Sequence, residues 1–212
     1  MYIPPHFEEH RPEAIRALIA AYPLGTLVTG SAATGLDAVH VPFHVDGDLA
    51  PNGVLQAHVA RANDVVRADG EAVLVVFHGP QAYVSPNWYP SKAETHRHVP
   101  TWNYQAVHVH GTLRLRDDAR FLRGLLARLT RTQEARVGEA APWRMGDAPA
   151  DYIEGLLRVI VGIEVTVQRV VAVSKLSQNR ALRDHANVAE TLRAQGRGDV
   201  ADAMEDAPGR PR

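Results

Sequence analysis

Apolar positions along the chain recur with two periods. Between Pro12 and Tyr22, Ile15, Leu18, Ile19 and Tyr22 fall at helical spacing. Pro12 suits a first turn, and Pro23-Leu24-Gly25 ends the pattern, which predicts a short helix. The period then shortens to two. Thr26–Thr29 reads as a short strand, and Ala38–Val45 alternates Val39, Val41, Phe43 and Val45 against His40, Pro42 and His44. Val54–Ala60 is another strand, followed by a short polar helix near Ala62–Asp69. Ala72–Phe77 is a continuous apolar run of buried-strand length, broken by Gly79-Pro80 before Gln81–Ser85 begins again. Pro86–Pro100 holds three prolines and is expected to lack regular structure; ordered loops of that length are often functional. Val107–Leu115 alternates cleanly.

The second half is more regular. Asp117 or Asp118 can cap a helix whose Phe121, Leu122, Leu125, Leu126 and Leu129 form an apolar stripe. A loop around Trp143, a short helix over Asp151–Val159 and a long Val/Ile-rich strand over Val161–Val173 follow. Ala181–Arg193 is a last amphipathic helix. About seven mostly antiparallel strands with short helices between them predict a mainly β, α+β architecture, a barrel with helices outside. No repeat or low-complexity linker divides it, so residues 1–180 form the barrel domain, 181–206 pack on that domain, and 207–212 are a frayed tail.

Composition narrows the functional classes. The chain has 212 residues, 45% hydrophobic and 22% charged, with a net charge of −1, which offers no bulk attraction to nucleic acid or anionic membrane. No apolar run approaches membrane-spanning length and the start lacks a signal peptide's regions, which points to a cytoplasmic protein. Cysteine is absent, removing disulfides and thiolate chemistry. Of 23 basic residues only two are lysine, Lys92 and Lys175. An Arg-rich chain keeps lysine mainly where a compact ammonium is wanted. Eight of eleven histidines fall between His40 and His110, and five of nine Trp and Tyr residues between Tyr83 and Tyr104.

Gly-rich phosphate loops, G-x-G-x-x-G, H-E-x-x-H and G-x-S-x-G are all missing, so the common nucleotide-fold and hydrolase classes recede. His108 and His110 share a strand face, as would His40 and His44, but no carboxylate lies near either pair at ligand spacing, and no metal site is expected. Three clusters carry more. Ala82–Tyr104 offers Trp88, Tyr89, Trp102 and Tyr104 as flat surfaces among Asn87, Ser91, Thr101, Asn103, Gln105 and Lys92. A planar heterocycle with carbonyls and a phosphate tail wants that mixture, although the same residues would also pin a long loop. His58, Arg61 and Asn63 leave a strand for a helix start, where free N–H groups receive phosphate. Lys175, Ser177, Gln178 and Asn179 crowd donors at the end of the last strand. Together they suggest a phosphorylated planar cofactor on a β-barrel.

The segments MYIPPHF, LQAHVARAN, VFHGPQAYVSPNWYPSK, VPTWNYQAVHVHG and KLSQNR, in that order, resemble the PaiB family of FMN-binding negative transcriptional regulators. The resemblance implies an antiparallel, Greek-key-like FMN-binding split barrel and a homodimer sharing FMN at its interface. It places His58, Arg61, Ala62 and Asn63 on the phosphate and ribityl side. Lys92, Trp102, Asn103 and Tyr104 border the flavin, and Lys175 and Gln178 approach the ring or phosphate. Asp64-Val65 departs from the family pattern, which has a proline and an aromatic after ARAN. A flavin-dependent oxidoreductase of reductase or oxidase type is the alternative reading, and a haem-binding split barrel using a histidine such as His108 is a second. No catalytic acid or base stands out. Val188–Met204 reads as a helical hairpin whose second helix carries Asp199, Asp202, Glu205 and Asp206, which argues against direct contact with nucleic acid.

Overall fold

A computed structural model describes residues 1–31, 35–49 and 53–209, the side chain of Ser31 excepted. Its elements are β1 (Glu8–Glu9), α1 (Pro12–Ala21), β2 (Leu24–Ser31), β3 (Gly35–Pro42), β4 (His44–Asp46), β5 (Val54–Ala60), β6 (Ala72–Val84), α2 (Lys92–Thr95), β7 (Thr101–Arg116), α3 (Ala119–Val137), α4 (Ala150–Arg158), β8 (Ile160–Lys175), α5 (Leu182–Ala194) and α6 (Gly198–Asp206). The strands form one sheet in the order β3-β2-β6-β7-β8-β5-β4, with β1 added on β8. The registered pairs are antiparallel, from Leu24↔Pro42 in β2–β3 to His58↔Gly162 in β5–β8.

Four local expectations are corrected. The runs 72–77 and 81–85 are joined in one strand, Ala72–Val84, with Ser85 capping the turn that follows. The β2–β6 register ends at Thr26↔Val76, so Pro80 lies beyond it and costs no hydrogen bond there. Gly79 is needed for close approach, since a Cβ there would stand 2.9 Å from Leu18 Cδ1 and 3.0 Å from Gln105 Cβ. The run 38–45 is instead split at Phe43: β3 pairs with β2 and β4 with β5, so His40 and His44 lie on different strands. The segment 86–100 is not wholly irregular, containing a 3-10 turn over Pro86–Trp88 and the single helical turn of α2. The helix near 62–69 is a 3-10 helix of five residues, Asp64–Ala68.

Two compact units interleave along the chain. One comprises Tyr22–Phe77 and His108–Val170. Its core is the inward face of the strands, including Leu27, Leu55, Val75, Val109, Ile163 and Val165, with Phe43 and Phe77 edge to face at 5.8 Å. Buried Gln56 is matched on both ends, donating to Glu164 at 2.9 Å and accepting from Arg128 at 2.8 Å. A side cluster of Leu122, Ile153 and Leu157 fastens α4 to α3. Asp118 caps α3 through the N–H groups of Arg120 and Phe121, and Gly138, at φ +74, ends it in the left-handed region.

The other unit comprises Met1–Ala21, His78–Val107 and Val171–Arg212. Its core joins Ala82, Val84, Tyr89 and Leu176 to Val188, Leu192, Val200 and Met204. Ala207, assigned to the tail by sequence, is 6% exposed and packs in this core; residues 210–212 of that tail lie outside the described residues. The carboxylates of α6 are matched by arginines: Arg193 with Asp202 and Glu205, Arg197 with Asp199, and Arg11 with Asp206.

Candidate functional site

In the unit built on 22–77 and 108–170, His58, Arg61, Ala62 and Asn63 gather in the turn leaving β5. Leu55, Ala57 and Val59 face the core, which turns His58 to the opposite side. The His58 Nδ1 is enclosed with no hydrogen-bonding partner among the described residues, and burial pushes its pKa below the ordinary 6.5. Asn63 closes the turn, its N–H donating to the Ala60 carbonyl at 2.9 Å while its Oδ1 accepts from the Val65 N–H at 3.0 Å. Asn63 therefore occupies a donor that the sequence reading left open to phosphate. Arg61 is held on three sides. Both its terminal nitrogens pair with Asp117, and its Nε donates to the Arg158 carbonyl at 2.8 Å. The two adjacent aspartates thus divide their work: Asp118 caps α3 and Asp117 fixes Arg61.

The remaining candidates lie in the other unit. Trp102 is the second residue of β7, 47% exposed, its Nε1–H donating to Gln81 Oε1 at 3.1 Å and its ring edge to face with Tyr83 at 6.2 Å. One residue on, Asn103 is 1% exposed. Its Oδ1 accepts from Ser177 Oγ at 2.9 Å, while its Nδ2 has no partner among the described residues. Tyr104 turns back onto the cluster of Phe7, Ala106 and Val173. Strand alternation thus sets Asn103, an enclosed donor, on the opposite face from the exposed indole of Trp102 and the half-buried ring of Tyr104.

The turn after β8 is self-supporting. Ser177 adopts φ +65, a conformation uncommon for a residue with a Cβ. Gln178 stabilises it by donating to the Ser174 carbonyl and accepting from the Leu176 N–H at 2.8 Å. Gln105 reaches Ser174 Oγ at 2.9 Å. The structure therefore brings Asn103 and the 174–178 turn together through Ser177, spends both ends of the Gln178 amide on that turn, and leaves Lys175 half-buried beside it. Lys92 is half-buried at the start of α2, with Nζ bonded to Asn87 Oδ1.

Sequence reasoning missed what holds this segment. Helix α5 grips residues 88–94 at four points. Asp184, 2% exposed, accepts from Ser91 Oγ at 2.6 Å and from the Ser91 N–H at 3.0 Å. Asn187 Nδ2 donates to the Trp88 carbonyl at 2.9 Å, and Arg183 pairs with Glu94. Just ahead of the helix, the Arg180 guanidinium lies 4.9 Å from the Tyr89 ring centre. His98 Nε2 joins Ser91 Oγ at 2.8 Å. Only the polar first turn of α5 hinted at this role in the sequence.

Among the described residues no group of three or more His, Asp or Glu side chains could hold a metal ion. His110 lies 2.9 Å from an Arg169 nitrogen; burial first, then that guanidinium, pushes its pKa below 6.5, an environment unfavourable to a further cation. The donor chemistry does fit a flavin. In one unit, exposed ring surface at Trp102 and Tyr83, the unspent amide nitrogen of Asn103 and the two lysines are what a planar heterocycle with a phosphate requires, and in the other His58 keeps an unspent nitrogen.

Comparison with known proteins agrees. Residues 1–169 match the family model described as "Putative FMN-binding domain". The chain is 32% identical over 213 residues to Protease synthase and sporulation protein PAI 2 of Bacillus subtilis, covering 97% of each. It is 32% identical over 223 residues to an uncharacterised protein of Emericella nidulans, covering 89% of this chain and 88% of that one. The FAD and haem binding protein of Mycobacterium smegmatis superposes with a TM-score of 0.53 at 17% identity, over 79% of this chain and 73% of that chain. This last likeness speaks to the fold. Among the described residues no helix is long and apolar enough to cross a membrane. With the antiparallel sheet and its flanking helices, these matches identify the chain as a member of the PaiB family of flavin-binding split-barrel proteins.

Proposed function

We propose that this protein binds FMN and does so as a homodimer. The observation that carries the reading is the pair Trp102 and Asn103: a half-exposed indole beside an enclosed amide with one nitrogen unspent. Trp102 and Tyr104 border the isoalloxazine, with Asn103 supplying a donor to its polar edge. Lys92 and Lys175 supply positive charge, and Gln178 acts through the turn that it closes. His58, Arg61, Ala62 and Asn63 serve the ribityl phosphate. Arg61 takes that role by exchanging Asp117 for phosphate, both being anions of matching bidentate geometry.

Bound FMN would supply the redox chemistry, and the protein its orientation and electrostatics. The flavin-dependent oxidoreductase reading follows if a reduced nicotinamide turns it over. A regulatory role acts through the flavin state or another protein, since α6 meets the outside with arginine-neutralised carboxylates rather than a basic face. The haem alternative draws on the bound group named for the mycobacterial neighbour. Titration with FMN, FAD and haemin separates the readings. FMN should bind with at least about tenfold preference over FAD. A Soret band with no flavin uptake would replace this proposal with the haem one.

A further inference from the structure

A second pocket lies apart from every flavin motif, between α3 and the loop that follows it. It encloses about 390 Å³, within the range of small-molecule sites. Ala127, Arg131 and Glu134 share one face of α3, at positions i, i+4 and i+7. Trp143, Arg144 and Met145 close the opposite side. The wall is pre-formed. The Trp143 N–H donates to Glu134 Oε2 at 2.9 Å, the Arg144 N–H to Asp147 Oδ2 at 2.8 Å, and the Asp147 N–H back to the Arg144 carbonyl at 2.9 Å. Met145 is anchored in the cluster of Leu122, Ile153 and Leu157.

Two features here stand without a protein partner among the described residues. Trp143 stays 44% exposed although its loop is fixed. Neither Arg131 nor Arg144 has an ion-pair partner among the described residues, and the one carboxylate in the lining, Glu134, is engaged on the Trp143 N–H. A neutral apolar guest would cover the indole and leave both guanidinium groups, which are exposed, to water alone. An aromatic guest bearing one carboxylate satisfies both, since its ring stacks on Trp143 and its carboxylate takes a forked pair of N–H donors.

We propose that this pocket is a binding site for a small planar aromatic carboxylate. It is independent of the flavin reading, so the test uses the full chain saturated with flavin, and flavin absorbance reports separately on the first site. Calorimetric titrations with 1-naphthoate and neutral, nearly isosteric 1-naphthamide probe the charge requirement. Naphthoate should bind at least about tenfold more tightly than naphthamide. The Arg131→Ala/Arg144→Ala double variant should remove that preference and leave naphthamide affinity unchanged. Ala127→Phe, which fills the cavity from an exposed helix position, should abolish both heats while keeping the melting temperature. Equal affinities for the two probes, no heat from naphthoate, or naphthoate binding that survives Ala127→Phe would overturn the proposal.

Discussion

Asn103 shows how much one side chain can be asked to do. Burial alone would penalise its amide; Ser177 matches one end, and the other has no partner among the described residues, as the proposed flavin contact requires. Asn103→Leu should therefore lower flavin affinity and also loosen the 174–178 turn, visible as a reduced melting temperature without flavin. Lys92 is the opposite case, its ammonium bonded among the described residues to Asn87 and hence separable from folding. Lys92→Ala should weaken FMN binding by about 1.5–3 kcal/mol, the range for a charge-assisted contact, with no change in the apo melting temperature. Unaltered FMN affinity in a fluorescence titration would make Lys92 a surface residue. Residue types at both positions were legible as donors in the sequence. Their different burial was not: that of Asn103 depends on strand parity at the start of β7, and that of Lys92 on how the short helix α2 sits in its loop.

At the scale of elements, α5 is the brace of the motif segment. Burial alone would raise the pKa of the Asp184 carboxyl. The hydroxyl and N–H of Ser91 outweigh it, helped by the fields of His98 and Arg183, and hold it below the ordinary 3.8. The folded protein thus binds this proton less readily than the unfolded chain. The resulting stability is present above pH 3.8 and is lost as pH falls through the folded value. Asp184→Asn should flatten the acid limb of a urea-midpoint-against-pH profile below pH 3.8. Asp184→Ala should cost about 1–3 kcal/mol at neutral pH by leaving the enclosed Ser91 N–H unmatched. An acid limb identical to the unaltered protein would assign the interaction no weight. The amphipathic helices and most strands were legible from periodicity. The continuous β6 and the split of β3 from β4 were not: each depends on which neighbour a strand pairs with, a tertiary fact invisible to local pattern. Asp184 was likewise hidden, lying 93 residues from Ser91 in the chain.

For the whole molecule, the order of motifs along the chain made the family legible, and the antiparallel split-barrel sheet followed from it, though with eight strands where pattern gave about seven. The division of the candidate residues between two interleaved units was not legible, since both draw on separated stretches of sequence. The proposed dimer predicts a light-scattering mass near twice 23.2 kDa at micromolar concentration; a monomer would remove the shared-cofactor arrangement. The most direct measurement is a visible absorbance spectrum of the purified protein, taken before and after FMN addition and desalting. Retention of the two flavin bands at one FMN per chain is the predicted result. A colourless protein after desalting, with no FMN fluorescence change on titration, would contradict the account.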